Sequence, residues 1–262
     1  MGNAIVIGGG IGGLSAACGL RKAGWAVTVV ERAAELTPIG AGITLWPNAL
    51  RALEVLGLGD RLRPLLTARA SGALHDVRGR ELTRFDPDAF ERRFGKPLIG
   101  IHRAQLTDLL RNALPRECLR ADTEVTSITP EGEVMFADGG HERADLVVAA
   151  DGIGSRARAC LWPAHADTVH AGFTAFRAVA DAAGEAPHGI TWGPGTEFGV
   201  VALTDGRQYW YASLTAGANE PVPDAKAHLQ HQLHAWPSGI RELVERTPGD
   251  AILHPDLRAL RR

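Results

Sequence analysis

The chain has 262 residues, 45% of them hydrophobic and 22% charged, with a formal net charge of -2. That composition fills one large core or two fused smaller ones and excludes a disordered polyelectrolyte. Basic residues are scattered apart from Arg258, Arg261 and Arg262, so nothing draws nucleic acid or an anionic membrane over a distance. No apolar run approaches the roughly 20 residues that span a bilayer, and the start lacks the basic region and cleavage site of a signal peptide. Cys18, Cys118 and Cys160 lie far apart without metal or CxxC spacing, which points to free thiols, no bound metal and a reducing, cytoplasmic setting.

The first element is the β-branched run Ala4-Ile5-Val6-Ile7, read as a buried parallel strand. Gly8-Gly9-Gly10-Ile11-Gly12-Gly13 follows and satisfies G-x-G-x-x-G at Gly8, Gly10 and Gly13. Leu14, Ala17 and Cys18 then share one helical face up to Gly24, and Val27, Val29 and Val30 mark a second strand ending at Glu31 and Arg32. Gly8 permits the turn out of the strand, Gly10 lets backbone approach a pyrophosphate, and Gly13 lets the helix pack on the sheet. The helix N-terminus offers free N–H groups and its positive dipole end to phosphate. Glu31 lies 18 residues past Gly13, where a carboxylate accepts from ribose hydroxyls and repels a 2′-phosphate. The nucleotide expected is therefore FAD or NAD rather than NADP.

Gly40-Ala41-Gly42-Ile43 reads as a glycine-rich loop or short strand, followed by a helix opening at Pro47 and closing at Gly57. Residues 68–86 predict a hairpin turning at Arg78-Gly79-Arg80. Leu106, Leu109, Leu110, Ala113 and Leu114 give Gln105 to Leu114 an apolar helical face. Short strands over 119–150 turn at Pro130-Glu131-Gly132 and Asp138-Gly139-Gly140 and end in the run Leu146 to Ala150, expected to be buried. Beyond 170, strands at 171–179, 189–193, 197–204 and 207–214 precede one helical stretch over 224–246. On it His228, His231 and His234, three residues apart, read as a solvated face rather than metal ligands. The pattern is α/β: a Rossmann-like βαβ unit with a parallel sheet, joined to an antiparallel β-sheet part.

After the run at 146–150 comes Asp151-Gly152-Ile153-Gly154-Ser155-Arg156-Ala157-Arg158. D-G-x-x-S-x-x-R at Asp151, Gly152, Ser155 and Arg158 resembles the Asp-Gly motif of the FAD-dependent aromatic-ring hydroxylases, the family of p-hydroxybenzoate, salicylate and urate hydroxylases. The segment from Gly40 to Ala49 resembles that family's flavin-proximal loop, and Ile101-His102-Arg103-Ala104-Gln105-Leu106 its His-Arg-x-x-Leu segment, whose Arg contacts FAD. The resemblance implies a single-component monooxygenase in which NAD(P)H reduces FAD, O₂ adds at flavin C4a, and the hydroperoxide hydroxylates a small aromatic or heteroaromatic ring. It implies cofactor contacts from Gly8, Gly10, Gly12, Gly13, Glu31, Arg32, Gly42, Ile43, Arg103, Asp151, Gly152 and Arg158. It also implies an FAD-binding part at 1–70 and 99–168 and a substrate-binding part at 71–98 and 169–258. Pocket candidates there are Phe173, Phe176, Arg177, Trp192, Tyr209 and Tyr211, with Tyr209 and Arg177 as the catalytic pair; each single aromatic reads more readily as core.

The family's third FAD motif, Gly-Asp-Ala-Ala-His, has no counterpart before Arg262, and Ala251 to Leu257 looks like the strand preceding it. The expectation is a C-terminally truncated member with weak FAD retention and a sheet edge that favours self-association. Two alternatives stay open: a non-catalytic FAD-binding remnant or interaction module, and a related halogenase or epoxidase.

Overall fold

The computed structural model describes residues 2–35, 41–67, 69–182 and 186–261. Strands Asn3–Ile7 and Ala26–Val30 pair in parallel, Ile5 opposite Thr28, with helix Ile11–Lys22 crossing between them. Leu146–Ala149 pairs in parallel on the other side of the first strand and Leu119–Arg120 beyond the second, giving a four-stranded parallel sheet. A core forms where Leu14, Ala17 and Cys18 on the helix meet Val6 and Val29 on the sheet and Leu106 and Leu110 on helix Arg103–Arg111. The run expected to be buried at 146–150 is only partly so, because Leu146–Ala149 is an edge strand; an apolar run reads the same in a central strand and at an edge. A three-stranded antiparallel sheet, Val125–Ile128, Glu133–Phe136 and His141–Arg143, packs over the far face through Ile5, Ile7, Val134 and Phe136.

Seven strands make the second large sheet, in the order Asp256–Leu260, Thr168–Asp181, Arg207–Thr215, Thr196–Ala202, Gly189–Gly193, Gly72–Asp76 and Glu81–Phe85. The last two are the expected hairpin, with Gly79 in its turn at φ 79°. One face is dry: Phe176, Phe198 and Trp210 pack against Leu229, Leu233, Ile240 and Leu243. Leu229 sits on helix Ala225–Gln232, Leu233 caps its end, and Ile240 and Leu243 sit on helix Ser238–Arg246, two helices where the sequence predicted one; Pro237, which cannot continue a helix, divides them. The helix expected to close at Gly57 instead runs Pro47–Leu53, kinks where Gly57 takes φ 92°, and resumes as Gly59–Leu62.

The large sheets meet through a two-stranded ribbon, Gly42–Leu45 with Ile99–His102. Gly100 sits so close to strand Thr196–Ala202 that an added Cβ would lie 2.3 Å from the Ala202 carbonyl oxygen. No helix among the described residues is long and apolar enough to cross a membrane.

Candidate functional site

Strand Asn3–Ile7 ends at Gly8, whose φ of 105° suits glycine, and an added Cβ there would press on the Ala150 carbonyl oxygen at 2.5 Å. Gly13 allows the helix to close on the turn; a Cβ would lie 1.9 Å from the Gly8 carbonyl oxygen. Gly10 and Gly12 face open space, with nothing within 4 Å of an added Cβ, so the loop presents bare backbone. Helix Ile11–Lys22 has no side-chain cap at its N-terminus, which leaves its first N–H groups for an anion.

A cavity of about 280 Å³ opens beside this loop, lined by Gly8, Gly10, Glu31, Arg32, Asp151 and Gly152 among others. Glu31 accepts from the Gly9 N–H at 2.6 Å through one carboxylate oxygen and from the Ala33 N–H at 3.0 Å through the other. The acidic residue thus steadies the glycine loop as well as facing the cavity. Asp151 Oδ2 accepts from the Ala157 N–H at 3.0 Å, while its Oδ1 is buried without a partner among the described residues. A buried carboxylate oxygen of that kind calls for a donor, which a hydroxyl of a ligand in the cavity would supply. Bare glycine backbone, an uncapped helix start, two carboxylates and an orphaned acceptor fit the adenosine and pyrophosphate of FAD.

The motif beginning at Asp151 also builds its own helix. Ser155 accepts from the Arg158 N–H at 3.0 Å and caps helix Arg156–Leu161. The Arg158 guanidinium donates back to the Ile153 carbonyl, and Arg156 rather than Arg158 reaches the cavity wall. Arg156 was not singled out in the sequence; the short helix Arg156–Leu161 that turns it inward is a three-dimensional fact.

The other expected residues gather where the two large sheets join. Gly42 lies against Tyr209, so that an added Cβ would meet Tyr209 Cβ and Cγ at 2.5 Å. Ile43 follows it in the ribbon, opposite Ile101, and Gly40 lies outside the described residues. The Arg103 N–H donates to the Ala41 carbonyl at 2.8 Å, which closes the ribbon's end. Burial pushes the Tyr209 hydroxyl above the usual phenol range, and the positive charges of Arg177 and Arg103 oppose that rise. Gly42, Arg103, Arg177 and Tyr209, from separate stretches of chain, therefore share one neighbourhood.

Arg177 stands opposite Tyr211 in the sheet, and Tyr211 opposite Gly199. Gly199 gives up its side chain to the Tyr211 ring; an added Cβ would lie 2.1 Å from Tyr211 Cε1. Tyr211 donates to Glu197 at 2.7 Å, and burial, then that bond, push its hydroxyl well above the usual phenol range. Trp192 donates to the same carboxylate at 2.8 Å and is otherwise exposed. Phe176 points to the opposite face, in the core beneath the helices, and Phe173 is exposed. Sequence reasoning missed Gly199 and Glu197; a glycine inside a strand is the signal that marks such a close approach.

The FAD binding domain family matches residues 2–236. The aurachin C monooxygenase/isomerase of Stigmatella aurantiaca is 35% identical over 97% of this chain and 68% of its own length. The FAD-dependent urate hydroxylase of Klebsiella oxytoca is 29% identical over 92% of this chain and 65% of its own, so the chain spans about two thirds of these relatives. The crystal structure of Klebsiella pneumoniae HpxO complexed with FAD and uric acid superposes with a TM-score of 0.85 at 26% identity, covering 98% of this chain and 68% of that one. The chain belongs to the FAD binding domain family, among the FAD-dependent monooxygenases.

Proposed function

We propose that this chain carries the FAD and substrate sites of a monooxygenase that hydroxylates a small aromatic or heteroaromatic ring. The observation that carries the reading is the convergence of Gly42, Arg103, Arg177 and Tyr209 where the two sheets join, away from the glycine-loop cavity. FAD is long enough to need two sites, one for its nucleotide end and one for its ring. Residues 1–70 and 99–168 form the FAD-binding part on this reading, and 71–98 with 169–258 the substrate-binding part. Urate, named for two of the relatives, is a small nitrogen heterocycle of the expected class.

Bound FAD, with NAD(P)H as electron donor and O₂ as oxygen source, supplies the oxygen-transfer chemistry. The protein's part is position and charge. Gly8, Gly10, Gly12 and Gly13 receive the pyrophosphate, Glu31 and Arg32 border the ribose, and Asp151 and Gly152 close the cavity's other side, with Arg158 bracing their turn. Gly42, Ile43 and Arg103 border the flavin ring. Tyr209, held protonated by burial, donates to an acceptor on the substrate ring and sets its angle, while Arg177 favours substrate carrying negative charge. The test is purification with FAD, measurement of bound flavin, and NAD(P)H consumption with and without heteroaromatic substrates. Bound flavin with substrate-stimulated consumption is expected; bound flavin with no response to any ring would reject the monooxygenase reading.

A further inference from the structure

A cavity of about 570 Å³ lies beyond Tyr211, a size at which pockets enclose whole small ligands. Its floor is one row of the seven-stranded sheet. In register, Tyr211 faces Gly199, Gly199 faces Ile190, Ile190 faces Leu74, and Leu74 faces Thr83. Thr44 and Trp46, just past Gly42 in the chain, also line it, so the cavity begins next to the Tyr209 neighbourhood. Its charged and phenolic groups are already engaged: the Tyr211 hydroxyl donates to Glu197 at 2.7 Å, and Arg84 Nε donates to Glu81 at 3.1 Å.

The open end is aromatic. The Trp46 ring lies 5.8 Å from Phe90, and Phe90 lies 5.0 Å from Phe85 and 4.6 Å from Phe94. Helix Pro87–Phe94, which carries two of those rings, buries no residue, and Trp46 and Phe94 stay 53% and 44% exposed. A mainly apolar trough whose phenol and guanidinium are paired internally holds water poorly and gains by exchanging it for hydrocarbon.

We infer that this cavity takes an aliphatic chain carried by the substrate ring. The ring rests at Tyr209 and the chain runs past Tyr211 over Ile190 and Leu74 toward Trp46 and Phe85. The inference rests on the monooxygenase reading only for the position of the ring; the chain's place comes from the cavity itself. A compact polar substrate would leave the trough empty, whereas each buried methylene tightens binding by about three- to fourfold.

The test is calorimetric titration of the FAD-saturated chain with 4-quinolones bearing hydrogen, butyl or heptyl at carbon 2. Affinity should climb by about that factor per methylene. Thr83→Trp, at an exposed position on the floor, and Leu74→Trp should each abolish the climb and leave the unsubstituted ring's affinity within about twofold. Thr83→Trp keeps the comparison valid if Leu74→Trp fails to fold. Equal affinity across the series, no binding of any member, or a climb that persists in the folded variants would each overturn the inference. Length-dependent binding without NAD(P)H consumption would sustain the chain site while rejecting the monooxygenase reading. Consumption stimulated as strongly by the unsubstituted ring, with no gain in affinity from the chain, would do the reverse.

Discussion

Glu31 carries two loads, and they can be separated. Its carboxylate accepts from Gly9 and Ala33, and it borders the cavity assigned to the nucleotide. A hydrogen bond to a charged group contributes about 1.5–3 kcal/mol, so Glu31→Ala should weaken FAD binding by about ten- to a hundredfold. Glu31→Gln keeps one acceptor oxygen and should fall between. Fluorescence titration with FAD measures both, and an unchanged affinity for Glu31→Ala would remove the ribose role. Gly42 makes a sharper case because its neighbour cannot yield cheaply. An added methyl meets Tyr209 at Cβ and Cγ, atoms fixed to the strand, rather than at the end of a flexible side chain. Gly42→Ala should cost about 1–3 kcal/mol of stability and shift Tyr209. Thermal unfolding reads the first effect and product formation the second; a variant equal to the parent in both would show that Tyr209 has room to move.

At the scale of elements, what was legible in the sequence was local. Strand, glycine loop, helix and strand over the first 31 residues, and the hairpin at Gly79, follow from periodicity and turn chemistry within a dozen residues. Burial of Leu146–Ala149 was not legible, because it depends on which strand lies beyond it, and neither was the pairing of Gly72–Asp76 with Gly189–Gly193, more than a hundred residues on. Arg177, Tyr209 and Gly42 carried recognisable types at recognisable places, but only the folded ribbon brings them together. Helix Pro87–Phe94, which the sequence reading left unassigned, has both end signals. Asp86 accepts from the Asp88 and Ala89 N–H groups at 2.9 Å, and Gly95 ends it at φ 74°. Since no residue of this helix is fully buried, its caps bear unusual weight. Asp86→Ala should destabilise it by about 1 kcal/mol and raise amide exchange within 87–94 more than elsewhere. Uniform exchange across the molecule would mean that the aromatic contacts, not the cap, hold the helix.

Across the whole molecule, the ribbon ties the two sheets through groups whose charge state matters. Thr204 donates from its N–H to the Gly100 carbonyl at 2.9 Å and from its hydroxyl to Gln105 at 3.1 Å. Between those anchors, His102 Nδ1 accepts from the Ala104 N–H at 3.2 Å and caps helix Arg103–Arg111, a role open only to the neutral ring. Burial, then the charge of Arg207, hold the His102 pKa below the usual histidine value, with Asp205 opposing. His254 shifts the same way: burial lowers it, Asp256 opposes, and His228 adds to the lowering. It sits 2.7 Å from Thr174 Oγ1 and stacks on Phe176 at 4.2 Å, joining the segment before Asp256–Leu260 to the sheet. A histidine whose folded pKa is depressed favours folding in its neutral form. Its contribution is complete above the unfolded value of about 6.5 and is lost as pH falls from there through the folded value. Asp205 and Asp256, also held low, lose their contributions only below the ordinary carboxylate range of about 4. The melting temperature should therefore hold steady down to about pH 7 and decline toward about pH 5. His102→Asn, which can still cap, and His254→Gln should each flatten part of that decline, and the double variant most of it. A double variant that declines as steeply as the parent would place the pH dependence in other groups and remove the neutral-histidine seam.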